Sequence, residues 1–370
     1  MSHFAVRHCV RGKVGFIKGA MRICLRIILL LGMVFGPVAC NKPSSTGASG
    51  GDGNSGKKGG KPKIVFITNI VDPFWNVAAA GTRAAAKEFD ADCQVEMPAK
   101  GSIVEQKRLV ETALVRGVDG IAISPIDAKN QVDLINQASQ QAKVITQDSD
   151  APDSKRLCFV GMDNYKAGRA AGELVKEALP EGGKIMIFVG RLEQLNAQQR
   201  RQGVIDALFD RPSQALDQIK YDPPGKEMSG GKYTIISTRT DNGDYLRAKS
   251  NAEDAMSAYP DLACMVGLFA YNTPACLEAV KEAKKTSKIK LVSFDENEGT
   301  LQGIIDGHIH GTVSQQPYLY GYHSVRILAA LVRGDNSVLP PNKFLEVPIK
   351  LVKKENVEAF WTELKKLRAG

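Results

Sequence analysis

Lys63-Ile64-Val65-Phe66-Ile67-Thr68-Asn69-Ile70-Val71-Asp72-Pro73-Phe74-Trp75 opens the folded part of this chain. Ile64–Thr68 is an apolar, β-rich run that reads as a buried strand. A short polar stretch follows, and Phe74–Phe89 reads as a helix. Strand, polar loop, helix is the repeating unit of a parallel α/β sheet. The pattern recurs downstream with Gln94–Met97 as a strand, Ser102–Arg116 as a helix begun by a Ser cap, and strands at Ile121–Ser124 and Val144–Thr146 around a helix from Ala128 to Gln141. A second set runs through helix Asn164–Ala178, strand Lys184–Val189, helix Ala197–Phe209, strand Thr234–Ser237, helix Asp244–Tyr259, strand Cys264–Leu268, helix Thr273–Lys284, and strands Lys290–Phe294 and Gly311–Ser314. Two sets predict two α/β lobes, as a chain of 370 residues can supply. Asp210–Lys232, rich in Pro and Gly, interrupts the second set and reads as a surface insertion.

The net charge of +9 is concentrated upstream of this body. Residues 1–39 hold six basic residues and no acid, and 40–63 hold five against Asp52, so the rest carries about −1. A near-neutral body argues against nucleic acid as partner. From Met21, an alternative start, Arg22 and Arg26 precede the apolar run Ile27–Phe35 and Pro37-Val38-Ala39-Cys40. That run is shorter than the ~20 residues needed to span a bilayer, so 1–39 reads as a cleaved signal peptide. A small residue directly before a cysteine is similar to the lipobox of bacterial lipoproteins, which implies acylation at Cys40. The stretch 40–62 is composed as a flexible tether. Its Gly51, Gly56 and Lys57 approach a P-loop, but Lys58 occupies the Ser/Thr position and no strand precedes it. None of the seven cysteines forms a Cys-x-x-Cys pair.

In open parallel sheets, ligands gather beyond the carboxyl ends of the strands. The loops there are polar: Thr68-Asn69 with Asp72-Pro73-Phe74-Trp75, Gln147-Asp148-Ser149-Asp150, Asn272-Thr273, Asp295-Glu296-Asn297 and Gln315-Gln316. Amides and carboxylates beside two aromatic rings suit a polyhydroxyl ligand, the rings covering C–H faces while the polar groups take hydroxyls. Residue type alone leaves other roles open: Phe74 and Trp75 as core, Asp148, Asp295 and Asn272 as turn or helix caps, Arg200 as a pin on a lobe surface.

From Lys63 to about Lys353 the chain resembles the periplasmic sugar-binding proteins related to the ribose-binding protein. The marks are Asp72-Pro73-Phe74-Trp75, Gly117-Val118-Asp119-Gly120-Ile121-Ala122-Ile123-Ser124-Pro125, Val160-Gly161-Met162-Asp163-Asn164, Val292-Ser293-Phe294-Asp295 and Thr312-Val313-Ser314-Gln315-Gln316-Pro317. The resemblance implies the type I periplasmic binding protein architecture: two doubly wound parallel-sheet lobes joined by three crossovers, near Met162–Asp163, Gln315–Gln316 and Lys343–Glu346. The N-terminal lobe is then 63–162 plus 316–343, and the C-terminal lobe 163–315 plus 344–370. It also implies a monomer that closes on a sugar in the periplasm and docks on an inner-membrane ABC importer permease, without a cofactor. By position, Phe74 and Trp75 sandwich the sugar ring, Asp72 and Asp148 bind hydroxyls from the first lobe, and Asn272, Asp295 and Gln315 do so from the second. Thr68, Asp244 and Gln198 occupy further contact positions. Ser149 and Gln198 stand where ribose binders carry arginines, and loss of two donor forks counts against ribose itself.

An enzyme needs a reactive constellation. From Lys63 onward the sequence holds no Gly-x-Ser-x-Gly, no His-Glu-x-x-His and no Gly-x-Gly-x-x-Gly after the first strand, so the expectation is a binding protein. His308 and His310 are two apart, but no third ligand accompanies them, and no metal site is expected. The alternative function is a sensory receptor of the same fold, reporting a bound sugar or furanone to a membrane kinase or chemoreceptor.

Overall fold

The computed structural model describes residues 60–369; the expected leader, Cys40 and all but the last residues of the tether lie outside the described residues. The first lobe begins with β1 (Lys63–Ile67), α1 (Pro73–Glu88), β2 (Asp92–Glu96), α2 (Ile103–Val115), β3 (Gly120–Ile123), α3 (Val132–Ala138), β4 (Lys143–Gln147) and β5 (Phe159–Gly161). The chain then builds the second lobe with α4 (Asn164–Ala178), β6 (Gly183–Val189), α5 (Leu195–Leu208), β7 (Met228–Gly230), β8 (Tyr233–Thr240), α6 (Tyr245–Ala258), β9 (Leu262–Gly267), α7 (Asn272–Glu282), β10 (Lys290–Phe294), α8 (Glu298–Ile305) and β11 (Gly311–Ser314). It returns through α9 (Pro317–Val332) and β12 (Phe344–Glu346), and ends with β13 (Lys350–Lys353) and α10 (Val357–Ala369).

The first sheet has the order β2-β1-β3-β4-β5-β12 and is parallel throughout. The second has the order β7-β8-β6-β9-β10-β11-β13, parallel except for its edge strands β7 and β13. Both therefore change direction of winding beside their first strand, at β1/β3 and β6/β9, the place where such sheets hold ligands. The central strands are buried, β1 from Ile64 to Ile67 and β6 from Met186 to Val189, because helices cover both faces.

The sheets correct one expected boundary. Phe344–Glu346 pairs in parallel with Phe159–Gly161, so the first lobe extends past Lys343 to Glu346, and the third crossing falls between Glu346 and Lys350. A three-residue strand carries too little periodicity to be recognised before its partner is known. The helix expected from Ala128 starts only at Val132, because the Asp127 carboxylate accepts the Lys129 and Asn130 N–H groups at 2.9 and 2.8 Å and holds that stretch in a turn. The Asp210–Lys232 insertion is tied down on α5: Arg201 donates to the carbonyls of Asp222 and Pro223 at 2.7 and 2.8 Å. Buried Asp206 accepts from Tyr165 Oη at 2.7 Å, Gln202 Nε2 at 2.9 Å and Gln214 Nε2 at 2.7 Å. Cys158, Cys264 and Cys276 are buried free thiols, and burial raises the pKa of each.

Candidate functional site

The carboxyl ends of the two sheets face one another across a cleft. On the first-lobe side, Asp72 caps α1, its Oδ1 accepting the Phe74 N–H at 2.8 Å, with Pro73 in the first turn. This cap delivers Phe74 to the cleft wall. Trp75 is 2% exposed and packs edge-on against Phe66, while its indole N–H donates to Asn69 Oδ1 at 3.2 Å. Asn69 Nδ2 reaches Ser124 Oγ at 3.3 Å, and that hydroxyl donates to Asp148 Oδ2 at 2.9 Å. The tryptophan is thus linked to the carboxylate through two side chains.

Asp148 and Asp295 are counterparts. Each follows the fourth parallel strand of its sheet, β4 and β10, and each has a left-handed backbone, φ 60° and 67°. A non-glycine residue held there costs about 1–3 kcal/mol, and such strain gathers at functional sites. Burial raises the pKa of both carboxyls, opposed in each case by the Arg200 charge. Asp295 Oδ1 accepts from Gln315 Nε2 at 2.6 Å.

Arg200 is fully buried between the two carboxylates. Its Nε donates to Asn164 Oδ1 at 2.8 Å, Nη1 to the Leu268 carbonyl at 3.0 Å and Nη2 to Gln315 Oε1 at 3.1 Å. Nη2 lies 3.7 Å from Asp148 Oδ1, across the cleft, and the guanidinium carbon sits 5.2 Å from the Phe269 ring centroid and 4.7 Å from that of Phe294. Asn196, one turn earlier on α5, donates to Asp148 Oδ2 at 3.4 Å. The lobes therefore meet through Asp148.

Between them lies a narrow cavity of ≈ 40 Å³ whose walls include Asp72, Phe74, Trp75, Asp148, Asp295 and Gln315, all expected from sequence, together with Asn69, Arg200 and Phe269. Asp72 and Phe74 also border a wider chamber of ≈ 380 Å³ at the mouth.

Four expected contacts lie outside these walls. Thr68 is buried beneath the wall, its Oγ1 donating to the Ile70 carbonyl at 2.9 Å. Asn272 donates to Asp241 Oδ2 at 2.8 Å and accepts the Phe269 N–H at 3.0 Å, so it holds the Phe269–Tyr271 loop. Gln198 turns back to the Leu192 carbonyl at 2.6 Å, and Asp244 is an exposed cap of α6. The expected aromatic sandwich is also corrected: the Phe74 and Trp75 rings are perpendicular at 85° and 4.9 Å apart, which leaves no slot between them. Phe269 of the second lobe lines the same cavity.

The sequence leaves Arg200 open as a pin on a lobe surface and counts the arginine position at Gln198 as lost. The cleft holds a guanidinium two residues later, at Arg200. The spacing of Asn196 and Arg200, four apart on a helix that follows β6, is the signal that places both on one face. His310 Nε2 lies 3.1 Å from Glu177 and away from the cleft, and no group of three metal-ligating side chains occurs among the described residues.

Residues 64–336 match the sequence model of the family described as "Periplasmic binding protein domain". A D-ribose/D-allose-binding protein of Pseudomonas aeruginosa is 25% identical over 305 residues, 79% of this chain and 89% of the relative. An ABC transporter solute binding protein from Burkholderia graminis, solved in complex with D-arabinose, superposes with a TM-score of 0.71 at 26% identity, covering 80% of this chain and 96% of that one. A glucose-galactose binding protein from Geobacillus stearothermophilus gives 0.71 at 25% identity, covering 80% and 99%.

Proposed function

The chain belongs to the periplasmic binding protein domain family, and on that premise we propose that it reversibly binds a small sugar or related polyhydroxyl solute between its lobes, for delivery to an inner-membrane ABC importer. The observation that carries this reading is the convergence of Asp148, Asp295, Arg200 and Gln315 on a cavity walled by Phe74 and Phe269. Carboxylates and amides accept and donate to hydroxyls, the guanidinium offers a donor fork, and the rings cover C–H faces. Contacts from both lobes make the closed form the preferred form of the complex. The family consists of binding proteins, and reversible capture without turnover is the expected behaviour. The relatives that bind ribose, allose, arabinose, glucose and galactose support the solute class.

Thermal unfolding of the purified protein against pentoses, hexoses, deoxy sugars, polyols and cyclitols tests this. Ligand at ~100 times its dissociation constant stabilises by ~2.7 kcal/mol. A shift confined to one sugar class names the ligand; none across the panel defeats the reading. Export to the periplasm and acylation at Cys40, supported by the residues from Met21 to Cys40, belong to the same proposal. Cys40→Ala is expected to move the protein from the membrane to the soluble fraction; retention on the membrane defeats the anchor.

A further inference from the structure

On the second-lobe side, Phe269, Ala270 and Tyr271 form a continuous stretch of the cavity wall, in the loop between β9 and α7. A wall made of loop is only as firm as the groups that anchor it. The anchor is Asp241, the residue after β8, which is fully buried. Its Oδ2 accepts from Asn272 Nδ2 at 2.8 Å, and Asn272 Oδ1 in turn accepts the Phe269 N–H at 3.0 Å. Its Oδ1 accepts from the Tyr271 hydroxyl and, at 2.9 Å, from the Gly243 N–H. Asp241 and Asn272 stand behind the wall and line none of it.

The same carboxylate shapes the rim. Asn242 and Gly243 are both left-handed, φ 63° and 84°, and the bond from the Gly243 N–H to the Asp241 side chain closes this tight turn. The turn abuts the first lobe: a Cβ on Gly243 would lie 2.7 Å from Ile70 Cδ1, and Ile70 lines the cavity from the first-lobe side. Asp241 therefore ties the inner wall to a place where the lobes meet.

We infer, resting on the sugar-binding reading above, that Asp241 is a positioning residue for sugar binding: from behind the wall it fixes Phe269–Tyr271 through Asn272 and Tyr271, and the lobe contact at Ile70 through Gly243. The pattern of donors makes this role specific to a carboxylate. An amide at position 241 with its oxygen toward Gly243 and Tyr271 presents its NH2 to the NH2 of Asn272. If Asn272 turns over to accept it, the Asn272 NH2 then faces the Phe269 N–H. If the amide at 241 turns over instead, it faces the Gly243 N–H. The conflict thus reaches the wall or the rim in every arrangement. Making position 272 an acid at the same time restores the pairs, because one of its oxygens accepts from the amide at 241 and the other accepts the Phe269 N–H.

Isothermal titration of the full chain with D-ribose, D-allose, D-arabinose, D-glucose and D-galactose, the sugars of the relatives above, identifies which of them binds most tightly. That sugar is then titrated into the variants, beside urea unfolding of each. Asp241→Asn is expected to bind it about tenfold more weakly, and the double variant Asp241→Asn/Asn272→Asp to return to within about threefold of the parent. Tyr271→Phe, which removes one donor and no charge, is expected to lose about threefold and carries the test if Asp241→Asn does not fold. A lower urea midpoint with parent affinity in both Asp241→Asn and Tyr271→Phe makes Asp241 a residue of stability alone; it overturns the inference and leaves the sugar-binding reading standing. A double variant that binds no more tightly than Asp241→Asn overturns the route through Asn272. Failure of the parent to bind any of these sugars overturns both readings together.

Discussion

At the scale of single residues, the cleft turns on Arg200. One guanidinium satisfies Asn164, the Leu268 carbonyl and Gln315 while sitting between two carboxylates, and two phenylalanine rings cover it. A planar fork can serve three acceptors at once, whereas an ammonium is a point charge on a flexible stem. Arg200→Lys is therefore expected to weaken sugar binding by about tenfold to a hundredfold, since each charge-assisted hydrogen bond lost is worth ~1.5–3 kcal/mol. Calorimetric titration beside a circular dichroism spectrum checks this; wild-type affinity in a folded variant removes Arg200 from the site. Asp72, Phe74, Asp148, Asp295 and Gln315 were legible because each follows the carboxyl end of a strand, where position along the chain nearly dictates position in space. Arg200 was not, because it reaches the cleft from the second turn of a helix, and only helix packing decides which way that face points.

At the scale of elements, each lobe brings two helices into close contact through glycines, and in the second lobe this contact sets the site. A Cβ at Gly168 of α4 would lie 2.1 Å from the carbonyl oxygen of Arg200. Gly168→Ala must push α5 outward and carry Arg200 and Asn196 with it. Overpacking of this kind costs roughly 1–3 kcal/mol of stability. The variant is accordingly expected to lose both urea midpoint and sugar affinity; a stability loss with wild-type affinity would show that the cleft tolerates movement of α5. The α/β alternation was legible throughout this region because strands and helices differ in hydrophobic period. β5, β7 and β12 were not, since three residues define no period and each exists only through its neighbour.

At the scale of the whole molecule, buried acids make stability depend on pH. The Asp241 carboxyl is pushed up from 3.8 to about 7 by burial, against the opposing effect of hydrogen bonds from Tyr271, the Gly243 N–H and Asn272. Burial moves Asp295 and Glu296 in the same direction. Between about pH 4 and pH 7 the unfolded chain has released the Asp241 proton while the folded protein keeps it, so stability falls as pH rises through that window. The effect is on the order of 4 kcal/mol for Asp241, at 1.36 kcal/mol per unit. Urea unfolding at pH 5 and pH 8 is expected to give the higher stability at pH 5, with a smaller difference in Asp241→Asn. Equal stability at both values in the parent protein contradicts the buried, proton-retaining state of this group.

By itself the sequence determined the two α/β lobes, the loops that carry the polar groups and the family, because these are written in local periodicity and in ordered motifs along one chain. Tertiary structure alone decided the rest. It brought Arg200 rather than Gln198 to the cavity wall, left Thr68, Asn272 and Asp244 outside that wall, added Phe269 from the second lobe, and placed Arg368 on the wider chamber. Each of those outcomes depends on which face of an element meets another lobe, and that orientation is a property of packing between segments far apart in the chain.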